Sequence, residues 1–250
     1  MAFYSAVLAF SPVGQIRATP GSITVAMELS YVPSLTTAQR SAGYDKPEAT
    51  NLAPVFPRPR VRFGLPGGVG IEGSWLPPVQ VFGVTANLGA VALTAPLFKP
   101  GRYDITARAS GMIGRVTGPI TCNADIAAGG SLDLRTYYRT VCRDRNSRDH
   151  FEPRHVSGEL IVQRGRGAFQ SYAGAGVRLD AGTRFDIGVA RADGTYRDPD
   201  HPVLELRALR PHFLIGGTWR AFARGTMAGE MFHAPGSVLT VRVLASVQLR

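Results

Sequence analysis

Apolar and polar residues alternate with period two along most of this chain, and the stretch from Arg58 to Trp75 shows the pattern most plainly. Arg58, Arg60, Arg62 and Gly64 share one parity, and Pro59, Val61, Phe63 and Leu65 the other. After Pro66-Gly67-Gly68, the residues Val69, Ile71, Gly73 and Trp75 alternate against Gly70, Glu72 and Ser74. Alternation on both sides of a Pro/Gly break predicts a β-hairpin with one apolar and one polar face. The same grammar predicts strands over Ser22–Val32, about Val81–Pro96, Tyr103–Ile113, about Ser157–Gln163 and from Phe169 to Leu179. Beyond Asp180-Ala181-Gly182 the alternation resumes at Phe185, Ile187 and Val189, read as an extension of the same strand. Further strands are expected over Val203–Trp219 and Arg224–Phe232 and, after His233-Ala234-Pro235-Gly236, on to Leu249. A short Pro77-Pro78 connection is expected to separate the third strand from the fourth.

The sum is about ten strands (range 8–12). Short breaks fall at Pro66–Gly68, Pro96–Arg102, Arg164–Gly167 and about Arg220–Ala223. The long ones, at 33–57, 115–156 and 191–202, fall on the alternate set of connections. Short turns at one rim and long loops at the other characterise outer-membrane barrels. Tyr31, Trp75, Tyr103, Phe169 and Trp219 sit at strand ends on the apolar parity, where an interfacial girdle belongs. The expected fold is therefore all-β: a single antiparallel up-and-down transmembrane β-barrel over 21–250, preceded by an N-terminal segment, 1–20. A soluble barrel or sandwich would alternate in the same way with its apolar face inward. The Ala- and Gly-rich apolar faces lack the bulk to fill such an interior, and the long loops segregate to one rim.

Composition narrows the class. The chain has 250 residues, 44% apolar, and 29 glycines, with a mean hydropathy of +0.00. The longest uncharged run, Gly73 to Phe98, is interrupted by Pro77, Pro78, Gln80, Asn87 and Pro96, so no membrane helix is expected. The apolar start, MAFYSAVLAFSPVG, lacks a basic leader region; it reads as the tail of a signal peptide or as an ordinary N-terminal segment. Net charge is +10, yet the basic residues form no run and no nucleic-acid-binding motif is present, so no nucleic-acid partner is expected. All but Lys46 and Lys99 of the 28 basic residues are arginine, the side chain suited to bidentate carboxylate contacts. Cys122 and Cys142, both in the long 115–156 segment, are expected to pair in an oxidising compartment.

On these architectural features, from Ser22 to Arg250, the chain resembles the broad group of bacterial outer-membrane β-barrel proteins, uncharacterised members with short periplasmic turns included. The end, Val247-Gln248-Leu249-Arg250, departs from the terminal aromatic common in that group. The resemblance implies residence in the bacterial outer membrane, with outer-membrane lipid as partner.

In such a barrel the polar parity faces the lumen. It carries Glu28, Arg58, Arg60, Arg62, Glu72, Asp104, Arg108, Arg178, Arg210, His212, Glu230 and Arg242. Arginines and acids interleaved in a narrow interior are expected to pair across strands, Arg62 with Glu72 in particular, and to fill it. The corresponding function is a non-enzymatic one: a narrow channel or transport component, with small anionic solutes as candidate cargo, or a structural surface protein. Two alternatives stand beside it. A soluble β-barrel binding protein is one. A membrane hydrolase of lipid-deacylase or protease type is the other. For that one, His155 and Ser157 have a nucleophile-activating spacing, and Asp149-His150 and Asp200-His201 place acids beside histidines. Asp198, Asp200 and His201 alone make a weak cation site, and no Gly-rich phosphate loop is present. No metal and no cofactor is expected.

Overall fold

The computed structural model describes residues 1–14, 16, 18–33, 55–81, 83–124, 135–136, 139–140, 142–165, 167–188 and 203–250. Eleven strands follow a short helix, α1 (Ala2–Val7). They are β1 (Ile23–Tyr31), β2 (Val55–Gly64), β3 (Gly70–Val81), β4 (Val84–Phe98), β5 (Tyr103–Gly118), β6 (Asp149–Glu152), β7 (Arg154–Arg164), β8 (Phe169–Asp186), β9 (Leu204–Phe222), β10 (Gly225–Ala234) and β11 (Val238–Gln248). Strands β6 and β7 are separated by Pro153 alone, and both lie between β5 and β8, so they form one stave. The eleven strands therefore make ten staves. Each stave pairs antiparallel with its sequence neighbours, and β1 closes the ring on β11 from Thr24↔Gln248 to Ser30↔Arg242. Closure leaves no unpaired sheet edge at the ends of the chain order, the condition for a sheet to span a bilayer.

The outside of the ring is apolar. Along β1, Val25, Met27, Leu29 and Tyr31 are exposed while Glu28 and Ser30 are fully buried. Val91 and Ile113 are 64% and 67% exposed, values suited to a side chain meeting lipid rather than a core. A soluble barrel would show the reverse. The protein is a ten-stranded transmembrane barrel of the outer-membrane type. Tyr103, Phe169, Trp219 and Phe222 face outward near the rim of short turns, and Tyr31 and Trp75 toward the other, as girdles do.

Connections at 65–69, 99–102, 165–168 and 223–224 are short and share a rim. The opposite rim carries those at 32–54, 119–148 and 187–203, with turns at Gly83 and at 235–237. The 33–57 and 191–202 expectations fall mostly outside the described residues. The third long segment is shorter than its expected 115–156, because β5 continues to Gly118 and β6 begins at Asp149.

One local expectation is corrected. Pro77-Pro78 does not end β3. The strand runs through both prolines, its ladder with β4 slips between Leu76 and Val79, and the turn follows at Gly83, whose φ is +76°. Proline removes a donor but keeps extended φ, so two of them make a bulge here instead of a turn. In β4, the parity Ala86, Leu88, Ala90 and Ala92 faces inward. Both parities of that strand are apolar, and its register on β3, with Trp75 opposite Gly89, decides between them. Thr240, on the inward parity of β11, is 1% exposed and donates to the Tyr31 carbonyl. By contrast, β8 does extend past Gly182 (φ +84°), as a bulge between Ala181 and Thr183.

Candidate functional site: a lumen threaded by the N-terminal segment

The interior is occupied by the N-terminal segment, residues 1–14 and 16 of it described. Ser5, Ala6, Val7, Leu8, Ala9, Phe10, Ser11, Val13 and Ile16 are all buried. The chain leaves β1 at the short-turn rim, where the Gly21 amide bonds the Gly64 carbonyl. It then runs up the lumen to α1 near the far end, where Tyr4 packs on Phe151 with ring centroids 6.0 Å apart. After Leu8 the segment is not helical, and Pro12 and Gly14 (φ +107°) keep it so. Its backbone carbonyls consequently lack helical partners in a place water does not freely reach, where each orphan is costly.

Lumen arginines satisfy them. Arg242 donates to the carbonyls of Ala6 (3.3 Å), Val7 (3.3 Å) and Ala9 (2.9 Å). Arg58 donates to Leu8 (2.7 Å) and Ala9 (3.2 Å), Arg108 to Phe10 (2.5 Å), Arg60 to Ser11 (2.9 Å), and Arg62 to Ile16. Guanidinium suits this task because one planar fork reaches two carbonyls while keeping its charge for a carboxylate. The Phe10 ring sits among three such groups, with Arg58, Arg60 and Arg108 at 5.4, 4.4 and 5.1 Å from its centroid. Cation–π attraction there adds about 0.5–2 kcal/mol per contact.

Carboxylates neutralise the same arginines. Glu28 lies against Arg60 and 3.9 Å from Arg58. Glu72 bridges Arg60 (2.9 Å) and Arg108 (3.5 Å), and Glu159 bridges Arg108 and His212, both at 3.2 Å. Asp180 serves Arg178 (3.2 Å) and Arg210 (3.7 Å), and accepts from Ser5 Oγ of the segment. Glu230 lies 3.9 Å from Arg242 and accepts from Tyr172 (3.0 Å) and from Ser11. The Tyr172 hydroxyl in turn accepts from the Gly14 amide at 3.3 Å.

Most of the expected lumen set is thus brought together, with two corrections. Arg62 and Glu72 are register partners across β2 and β3, but Arg62 reaches up to Ile16, and Arg60, two residues along on the same parity, takes Glu72. Asp104 is half-buried at the short-turn rim and pairs with Lys99 at 3.3 Å, too far down the barrel to serve the arginine cluster. Glu159, Asp180 and Tyr172 belong to the network and were not singled out from the sequence. Glu159 lay on a weakly alternating strand, and Asp180 read as part of a turn. The visible signal was an excess of lumen arginines over the acids assigned to them.

Among the described residues weighed for hydrolysis, no hydrogen bond joins one to another. His155 is buried, and neither ring nitrogen has a hydrogen-bond partner. Ser157 Oγ lies 3.3 Å from Ser110 Oγ. His150 Nδ1 meets Thr117 Oγ1 at 3.0 Å, whereas Asp149 accepts from the Gly188 amide (2.9 Å), the Thr121 amide and Ser147 Oγ (2.7 Å). Asp149 thereby ties the long 119–148 connection to Gly188, just past the end of β8, beside the Cys122–Cys142 disulfide. Asp200 and His201 lie outside the described residues. Among the described residues no cluster of His, Cys, Asp and Glu has metal-site geometry.

No family model matches the chain, and no curated protein matches it. Among solved structures it is similar to the toluene transporter TbuX of Ralstonia pickettii, at 8% identity and a TM-score of 0.35, over 93% of this chain and 90% of that one. It is also similar to the attachment invasion locus protein Ail of Yersinia pestis (9%, TM-score 0.33, over 92% and 99%). A third is outer membrane phospholipase A of Escherichia coli (8%, TM-score 0.27, over 94% and 99%). The assignment of the fold rests on the strand ladder and the apolar exterior.

Proposed function

We propose that the protein is a non-enzymatic barrel of the bacterial outer membrane, a narrow transport component held closed by its own N-terminal segment. One observation carries this reading. A stretch of non-helical backbone runs through the lumen, and five lumen arginines hold its carbonyls. A purely structural barrel of this size could fill its interior with side chains alone. Here the filling is a separate segment, joined to the wall by hydrogen bonds and ion pairs rather than by a strand ladder, and such a segment can be withdrawn. With it withdrawn, seven lumen arginines (58, 60, 62, 108, 178, 210, 242) would face five carboxylates (28, 72, 159, 180, 230). That excess of two favours small anionic solutes.

Planar-bilayer recordings test the reading. The full chain is expected to give no resolved current. A variant lacking residues 2–14 is expected to give discrete steps with anion preference. A silent lumen in a correctly folded deletion variant, judged by heat-modifiability on a gel, refutes the transport reading and leaves the structural one.

A further inference from the structure

Above the arginine network the interior changes character. A cavity of about 150 Å³ lies between α1 and the β1–β5 side of the wall. Tyr4, Val7 and Leu8 form its plug side, and Phe56, Leu76 and Phe151 are among its wall residues. Among the described residues its lining carries no charged side chain, so a polar or charged occupant would lose hydration there without compensation. A dry apolar cavity of this volume accommodates a molecule the size of benzene.

The wall beside this cavity is not laced. The β2–β3 ladder runs from Gly64↔Gly70 to Arg60↔Ser74 and stops there, although β2 continues back to Val55 and β3 on to Val81. Pro57 and Pro59 lie on one side of the unlaced stretch and Pro77 and Pro78 on the other, four residues without an amide donor. Val55 and Val79, one from each side, both line the cavity and are 43% and 60% exposed. The cavity therefore opens sideways between β2 and β3. Trp75, which donates to Asn87 Oδ1 at 3.2 Å on the outer surface, marks the border of the apolar belt just below the opening.

We propose that this cavity is a binding site for a small uncharged hydrocarbon, a single ring or a short chain, reached laterally through the unlaced β2–β3 seam at the outer edge of the apolar belt. Because α1 forms one side, an occupant contacts the plug directly. The proposal stands apart from conduction: a barrel that never passes current could still bind such a molecule.

The test uses the full chain in lipid nanodiscs and a phenyl-diazirine photoprobe, with labelled residues mapped by mass spectrometry. Saturable labelling of Tyr4, Phe56 or Phe151, abolished by excess toluene, is the expected result. Labelling of lipid-facing Val91 and Ile113 should be non-saturable and serves as the internal reference. Ala86→Phe, which fills the cavity from β4, should reduce the saturable component by about tenfold or more while leaving the reference unchanged. Val116→Phe is the second filling variant should the first fail to fold. Pro77→Val with Pro78→Val restores two amide donors to β3, one of them facing the seam because successive amides of a strand point to opposite neighbours, and should slow the approach to saturation without lowering its extent. Labelling at the three cavity residues that never saturates overturns the site. Labelling there by a diazirine on a phospholipid acyl chain, undisplaced by toluene, also overturns it, because the cavity then holds lipid. An unchanged rate in the proline variant overturns the lateral route.

Discussion

Glu28→Gln removes one charge and almost no volume from the centre of the lumen, and so measures how dry that centre is. Glu28 is fully buried, accepts from Ser30 Oγ at 2.6 Å, contacts Arg60, and lies 3.9 Å from Arg58. At an effective dielectric constant of about 20, its attraction to Arg58 alone is roughly 4 kcal/mol before desolvation is subtracted. The net contribution of the intact pair is far smaller, because both ions left water to form it. Deleting one partner is different: Arg58 keeps its desolvation penalty and loses its counter-charge, for which about 3–5 kcal/mol is typical. Arg60 retains Glu72 at 2.9 Å, and Arg58 retains two carbonyls and the Phe10 and Phe56 rings, so the expected loss is near the bottom of that range, about 3 kcal/mol. Combining it with Arg58→Met should cost less than the two single changes added, by about 1 kcal/mol or more. Denaturant titration of the barrel refolded into lipid vesicles, followed by tryptophan fluorescence and the gel shift, reads these values. A Glu28→Gln barrel within about 0.5 kcal/mol of the parent, with additive behaviour in the double variant, would mean that water screens the lumen and would refute the closed-interior account.

The faces of β11 should separate under arginine substitution: Val241→Arg and Val243→Arg are expected to cost about 2–4 kcal/mol each at mid-bilayer depth. Ser246→Arg, whose side chain borders a polar cavity of about 250 Å³ at the short-turn rim, should be tolerated in the same vesicle titration; equal costs on both faces would remove the membrane orientation. For the long 119–148 connection, intact mass under non-reducing conditions should show Cys122 and Cys142 oxidised, and Cys122→Ser with Cys142→Ser should lower stability by up to about 3 kcal/mol and open that connection to proteolysis, whereas two alkylatable thiols in exported protein would refute the bridge.

Period-two alternation determined a great deal of this protein without help. A strand alternates because its side chains must point to opposite faces, so the polar parity of β1, β2 and β11 already named Glu28, Arg58, Arg60 and Arg242 as interior. Turn chemistry placed the short connections for the same local reason. Alternation is silent where both faces are apolar, and β4 turns Ala86, Leu88, Ala90 and Ala92 inward only because β3 holds it in that register. It is equally silent on which arginine meets which acid: Arg60 and Arg62 share a parity, and their heights relative to Ile16 and Ser11 select their partners. The N-terminal segment lay furthest beyond reach. Nothing local tells an apolar MAFYSAVLAFSPVG to enter a polar lumen. It belongs there because Arg58, Arg60, Arg108 and Arg242, scattered over 185 positions of sequence, meet around one stretch of backbone whose carbonyls need donors. That requirement exists only once the ring has closed and excluded the water that would otherwise meet it.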